Sequence, residues 1–183
     1  MIKLISSFDF NFQSTNQIGD DGAIAIAEGI SKCKNLTNLN ISFVKNSIGN
    51  QGASDLLEKL SKCAQLDQLI LTLGENSIED KGALGISKWL VNFENLKELI
   101  LDLHDNEITD KGYINIGTSL SKLAKLMTLT LIFFKNEKYL KSSDLANCIN
   151  IRILHLNFSY CSISDQQYHR RKALKIKRLV NLS

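Results

Sequence analysis

The sequence predicts an α/β solenoid, with a curved parallel sheet on the concave side and helices on the convex side. Three observations carry that expectation: hydrophobic columns recur every thirty residues, each unit contains a stretch of strict alternation, and each then contains a stretch with helical spacing. Leu36, Leu66, Leu96 and Leu126 form one column, Leu39, Leu69, Leu99 and Leu129 a second, and Ile41, Leu71, Leu101 and Leu131 a third. Phe43, Leu73, Leu103 and Phe133 form a fourth. Asn16, Asn46, Asn76, Asn106 and Asn136 keep the same step, as do Gly22, Gly52, Gly82 and Gly112. A unit of this length buries its apolar face only against its neighbours, so the periodicity predicts stacking. Residues 1–183 are therefore read as a single domain of about five repeats plus a partial sixth strand.

Each element follows from local pattern. At the start, Ile5, Phe8, Phe10 and Phe12 restate the strand alternation, with one extra residue before Asn16. Ala23, Ile26, Ala27 and Ile30 then fall at i, i+3, i+4 and i+7, as do Ala53, Leu56, Leu57 and Leu60, which is one face of a helix. Asp20, Asn50, Asp80 and Asp110 stand where N-caps are expected. In "LDQLILTLGENSIEDKG", Leu69, Leu71 and Leu73 share one strand face, while Gln68, Ile70 and Thr72 share the other. Thirty residues suffice for a right-handed crossover to the next parallel strand. The recurring Asn falls at the corner of each coil. There its amide can bond to main-chain groups of adjacent coils, giving a buried ladder. Between Leu126 and Ile151 the step drops to twenty-five, so the helix after Asn136 is expected to be short or lost. "IRILHLNF", Ile151 to Phe158, is expected to be the fifth strand, with Cys161 at the ladder position. Leu179 and Leu182 open a sixth strand.

These residues resemble the leucine-rich repeat family, in its ribonuclease-inhibitor-like class with a convex helix. The family pattern L-x-x-L-x-L-x-x-N-x-L reads here L-x-x-L-x-L-x-L-x-x-N-x-I, with one more alternating pair before the Asn. That long-strand variant is similar to repeats of ciliate proteins, and it implies a longer strand. Cysteine substitutes for the ladder Asn in the family, which is the role the resemblance implies for Cys161.

Composition narrows the function. Residues 1–151 contain no arginine and carry a net charge of −3, whereas residues 152–183 carry +6. There is no proline and no twenty-residue apolar run, so no membrane span is expected. The start is too polar after Ile5 for a signal-peptide core. Four cysteines without a C-x-x-C pair suggest no disulfide framework, and a cytoplasmic setting is the default, with a ciliary or cytoskeletal one as a variant.

Few residues invite chemistry. Cys33 and Cys63 share a column with Phe93 and Leu123 and read as small buried hydrophobes, as does Cys148. His104, flanked by Asp102 and Asp105, invites a general-base or metal reading, but its column holds Val44, Gly74 and Phe134, which reads as a variable position. No nucleophile triad, phosphate loop or zinc spacing occurs, so no catalytic residue, cofactor or metal site is expected. Ran GTPase-activating protein has a similar repeat class, and GTPase activators often act through an arginine finger. Arg152 is the first arginine here, which argues against that activity.

The expectation is a non-catalytic protein-interaction module or scaffold, binding its partner through the concave sheet or its edges. The surface residues proposed are Gln68, Ile70, Thr72, Glu98, Ile100, Asp102, Ile132 and His155. Ile70 and Ile100 fall on neighbouring strands, about 4.8 Å apart, and an aliphatic patch facing water often marks an interface. "HRRKALKIKR" supplies a basic helix, with Arg170, Arg171, Lys172 and Lys175 as its contact residues. It lacks the interleaved aromatics of a single-strand binder, so nucleic acid is disfavoured. Residues 168–183 are expected either to continue into more protein or to dock on an acidic neighbour. Alternative readings are a structural subunit of a large assembly such as a ciliary axoneme, or the regulatory or targeting domain of a larger enzyme.

Overall fold

The computed structural model describes residues 6–12, 16–133, 145 and 148–157. Strands and helices alternate along the chain: β1 (Ser7–Asn11), α1 (Gly19–Ser31), β2 (Asn38–Ser42), α2 (Asn50–Leu60), β3 (Gln68–Thr72), α3 (Asp80–Leu90), β4 (Glu98–Asp102), α4 (Asp110–Leu120), β5 (Thr128–Ile132) and β6 (Ile153–Asn157). The strands form one parallel sheet in sequence order, and the stretch expected as the fifth strand is the sixth, because Ser7–Asn11 pairs fully with β2 and counts as a strand of its own. Leu39, Leu69, Leu99 and Leu129 pair in register across β2 to β5, and Leu154 of β6 joins them. Strands sit about 4.8 Å apart and helices about 8–10 Å apart, so stacking such coils bends the sheet inward.

The predicted core is the core found. Leu69, Leu71, Leu73, Ala53, Leu56, Leu57 and Leu60 are all fully buried. At the first coil burial is incomplete: Ile26 is only half-buried, because α1 packs on α2 on one side alone. Phe8, Phe10 and Phe12 are half-buried there and form a stack that continues to Phe43 of the next coil, with the last rings 5.0 Å apart. The extra residue before Asn16 shows in the register, where Ser7 pairs with Asn38 rather than Thr37.

The corners are built as a ladder. The Asn76 amide donates to the carbonyls of Phe43, Leu73 and Gly74, and its Oδ1 accepts from the backbone N–H groups of Asn46 and Ile48. Asn106 repeats this one coil later, donating to Leu73, Leu103 and His104 and accepting from Ile78 N–H. These bonds hold the preceding residues, Lys45, Glu75 and Asp105, in the left-handed region at φ 53–55°, which non-glycine residues rarely adopt. Asn16 departs from the expectation: it is exposed, and Asn46 Oδ1 lacks a partner among the described residues.

The helix-start residues also act differently from the expectation. Asp20 is the second residue of α1, and Asn50, Asp80 and Asp110 are the first residues of α2, α3 and α4, inside rather than before the helix. Asp20, Asn50 and Asp80 each cap the helix of the following coil. Asp20 accepts from Gly49 N–H, Asn50 from Glu79 and Gly82, and Asp80 from Thr109 and Gly112. The glycines are needed for this approach, since a Cβ at Gly112 would lie 2.8 Å from Asp80 Oδ1.

The helix expected after Asn136, the ladder residue Cys161, the strand at Leu179 and Leu182, and the basic helix with Arg170, Arg171, Lys172 and Lys175 lie outside the described residues.

Candidate functional site

The sheet face away from the helices is set by strand alternation, and it carries the expected columns. Asn40, Ile70, Ile100, Thr130 and His155 are register partners in sequence across β2 to β6. Ile70, Ile100 and His155 are half-buried, which leaves an aliphatic pair at the middle of the face. Before it run Asn38, Gln68, Glu98, Thr128 and Ile153, with the Asn38 amide donating to Gln68 Oε1 at 3.2 Å and Ile153 exposed. Beyond it lie Ser42, Thr72, Asp102 and Ile132.

Asp102 differs from its neighbours. It is only 8% exposed, because His104 folds back over it. His104 Nδ1 is 2.7 Å from Asp102 Oδ1, which also accepts the His104 backbone N–H at 3.0 Å. With a carboxylate as partner, Nδ1 carries the proton. Nε2 lies 3.8 Å from Glu75 Oε1 on the preceding coil. The hydrogen bond to Asp102 raises the imidazole pKa above its ordinary value; burial opposes this, while the charges of Asp102, Glu75 and Asp105 add to it. The ring occupies the space above Gly74, where a Cβ would collide with it. The column of Val44, Gly74 and His104 is therefore a paired fit between coils rather than simple variability. The signal was present in the sequence as a glycine and a histidine thirty residues apart beside two aspartates.

A second concavity lies on the rim where helices return to strands. A cleft of about 620 Å³ opens between the turn at Ala124–Met127 and that at Ile149–Arg152, with Lys97 at its side. Sequence reasoning missed it, since no single repeat contains it.

Cys33, Cys63 and Cys148 are free thiols. Cys63 and Cys148 are buried as expected, and burial pushes the Cys148 pKa up to about 11, whereas Cys33, also expected to be buried, is only half-buried at the first coil. Among the described residues no cluster of three or more His, Cys, Asp or Glu side chains could hold a metal ion, and no helix is long and apolar enough to cross a membrane.

A family profile described as Leucine Rich repeat matches residues 14–27 and 96–117, the latter spanning β4, the Asn106 corner and most of α4. No curated protein matches the chain.

Proposed function

We propose that this chain, a solenoid of leucine-rich-repeat type, is a protein-docking scaffold without catalytic chemistry, recognising its partner on the concave sheet face. The observation that carries this reading is the Ile70–Ile100 register pair, two half-buried aliphatic side chains on a face whose other outward residues on β2 to β4 are polar. Such a pair gains by being covered, and Gln68, Thr72, Glu98 and Thr128 around it supply hydrogen-bonding groups for a polar rim. The sheet is already ordered by the Asn ladder, so little conformational entropy is lost on binding. Helices of eleven residues between parallel strands support the ribonuclease-inhibitor-like class; the long-strand variant of ciliate proteins rests on the sequence pattern alone, since β3 and β4 are five residues long and end before the extra Leu73 and Leu103. On that reading the setting is cytoplasmic or ciliary, which imaging of a tagged chain in its own cells would test.

The decisive experiment is affinity purification with the double variant Ile70→Glu, Ile100→Glu. Both residues point away from the core, so folding should be preserved while partner recovery is lost, because charges would be placed in an apolar contact. Undiminished recovery by a folded variant would move the interface to another surface.

A further inference from the structure

The rim cleft has a chemistry of its own. Its charged lining residues are Lys97, Lys125 and Arg152, all cations, and its apolar lining includes Met127 and Ile149, the latter 80% exposed. Lys97 is paired with Asp67 at 2.9 Å. Among the described residues Lys125 donates to the neutral Asn95 amide oxygen, and neither Lys125 nor Arg152 has a carboxylate partner there. Among the described residues, these two cations thus face the open cleft without a carboxylate partner. Its walls are fixed: Asn150 donates to the Ala124 carbonyl at 2.9 Å, and the N–H groups of Arg152 and Ile153 both donate to the Met127 carbonyl. The cleft lies where the thirty-residue step fails, since Thr128 pairs with Ile153.

We propose that this cleft is a second docking site, which takes an extended acidic peptide segment of a partner protein. Carboxylates meet Lys125 and Arg152, and an aliphatic side chain covers Met127 and Ile149. A phosphate or sulfate would use the two cations but leave the apolar wall bare. The chain's own His169–Arg178 stretch, with six cations and no acid, has the wrong sign to fill it. The site is separate from the sheet face and does not depend on that face binding anything.

The probe is a fluorescein-labelled twelve-residue peptide of Asp and Glu with one central Leu, titrated with the full chain and read by anisotropy. Saturable binding should weaken by about tenfold or more in Lys125→Glu, Arg152→Glu, as loss of paired charges implies. It should also weaken as salt shortens the Debye length. Binding should drop when the peptide Leu becomes Ser, and that loss should vanish in Met127→Ser, Ile149→Ser. Lys34→Glu, a change on the same rim three coils away, should have no effect, and Ile70→Glu, Ile100→Glu should bind the peptide as the native chain does. All substituted residues are at least partly exposed, and circular dichroism melting checks that each variant is folded. The proposal is overturned if the acidic peptide fails to saturate, if Lys34→Glu weakens it equally, or if binding is lost in the isoleucine variant. It is also overturned if a single-stranded oligonucleotide binds more tightly through the same cations, or if Arg152→Glu instead abolishes a salt-sensitive dimer of the chain. Failure of the peptide leaves the sheet-face reading standing.

Discussion

Asp80 Oδ2 accepts the Thr109 hydroxyl at 2.6 Å, so a carboxylate in the first turn of α3 secures the start of α4. Its Oδ1 accepts the backbone N–H groups of Thr109 and Gly112. One side chain therefore does the work of a cap while belonging to the neighbouring helix. Because the cap crosses a coil boundary, it couples the folding of adjacent repeats.

Asp80→Ala should destabilise the protein by about 1–2 kcal/mol, the usual cost of removing a helix cap. Burial alone would raise the Asp80 pKa, but the bonds from Thr109 and Gly112 and the charge of Lys111 outweigh it and leave the carboxyl below its ordinary value. A depressed folded pKa gives stability that is full above the unfolded value, near about 4, and lost as pH falls through the folded value. Urea melts of the native chain and Asp80→Asn, compared from neutral pH to about pH 3, should converge with acidification.

Asn76→Leu should cost more than Asn46→Leu. Asn76 satisfies groups on both coils with both ends of its amide, whereas Asn46 Oδ1 has no partner among the described residues. Stranding several buried main-chain groups implies a loss of at least about 2–3 kcal/mol at Asn76. Equal melting midpoints for the two variants would contradict the ladder.

The His104 pKa is raised, chiefly by its bond to Asp102. Its contribution to stability is therefore full below the unfolded value, near about 6.5, and lost as pH rises through the folded value. Asp102→Asn should flatten the stability profile over that window, and an NMR titration should show the His104 resonance moving to lower pKa.

Gly74→Ala tests the fit between coils. A Cβ there would meet the His104 ring, so the ring must leave its place against Asp102. The expected result is a destabilisation of about 1–3 kcal/mol, as for overpacking, together with a fall in the His104 pKa. A variant of unchanged stability and unchanged titration would show that the ring is not held there.

Cys148 should resist alkylation at neutral pH, because burial holds its pKa at about 11 and only the thiolate reacts. Site-resolved mass spectrometry after brief iodoacetamide treatment should find Cys33, which is half-buried, modified before Cys148 and Cys63.

Hydrophobic period alone determined the elements, the buried strand and helix faces, the parallel register of the regular coils and the corner role of Asn76 and Asn106. Each of these depends on which side of a local backbone turns away from water, and a period of two or of 3.6 residues records that directly. Tertiary structure decided what one coil does to the next. Asp80 looked like a cap for its own helix, but stacking places Thr109 and Gly112 within its reach. His104 looked like a variable position until Gly74 appeared beneath its ring. The rim cleft draws Lys97, Lys125 and Arg152 together from three turns, across a junction where the repeat is short. Periodicity states that such residues share a side of the solenoid. Their partners are fixed by side-chain direction and the closeness of neighbouring coils, which arise only when the coils pack.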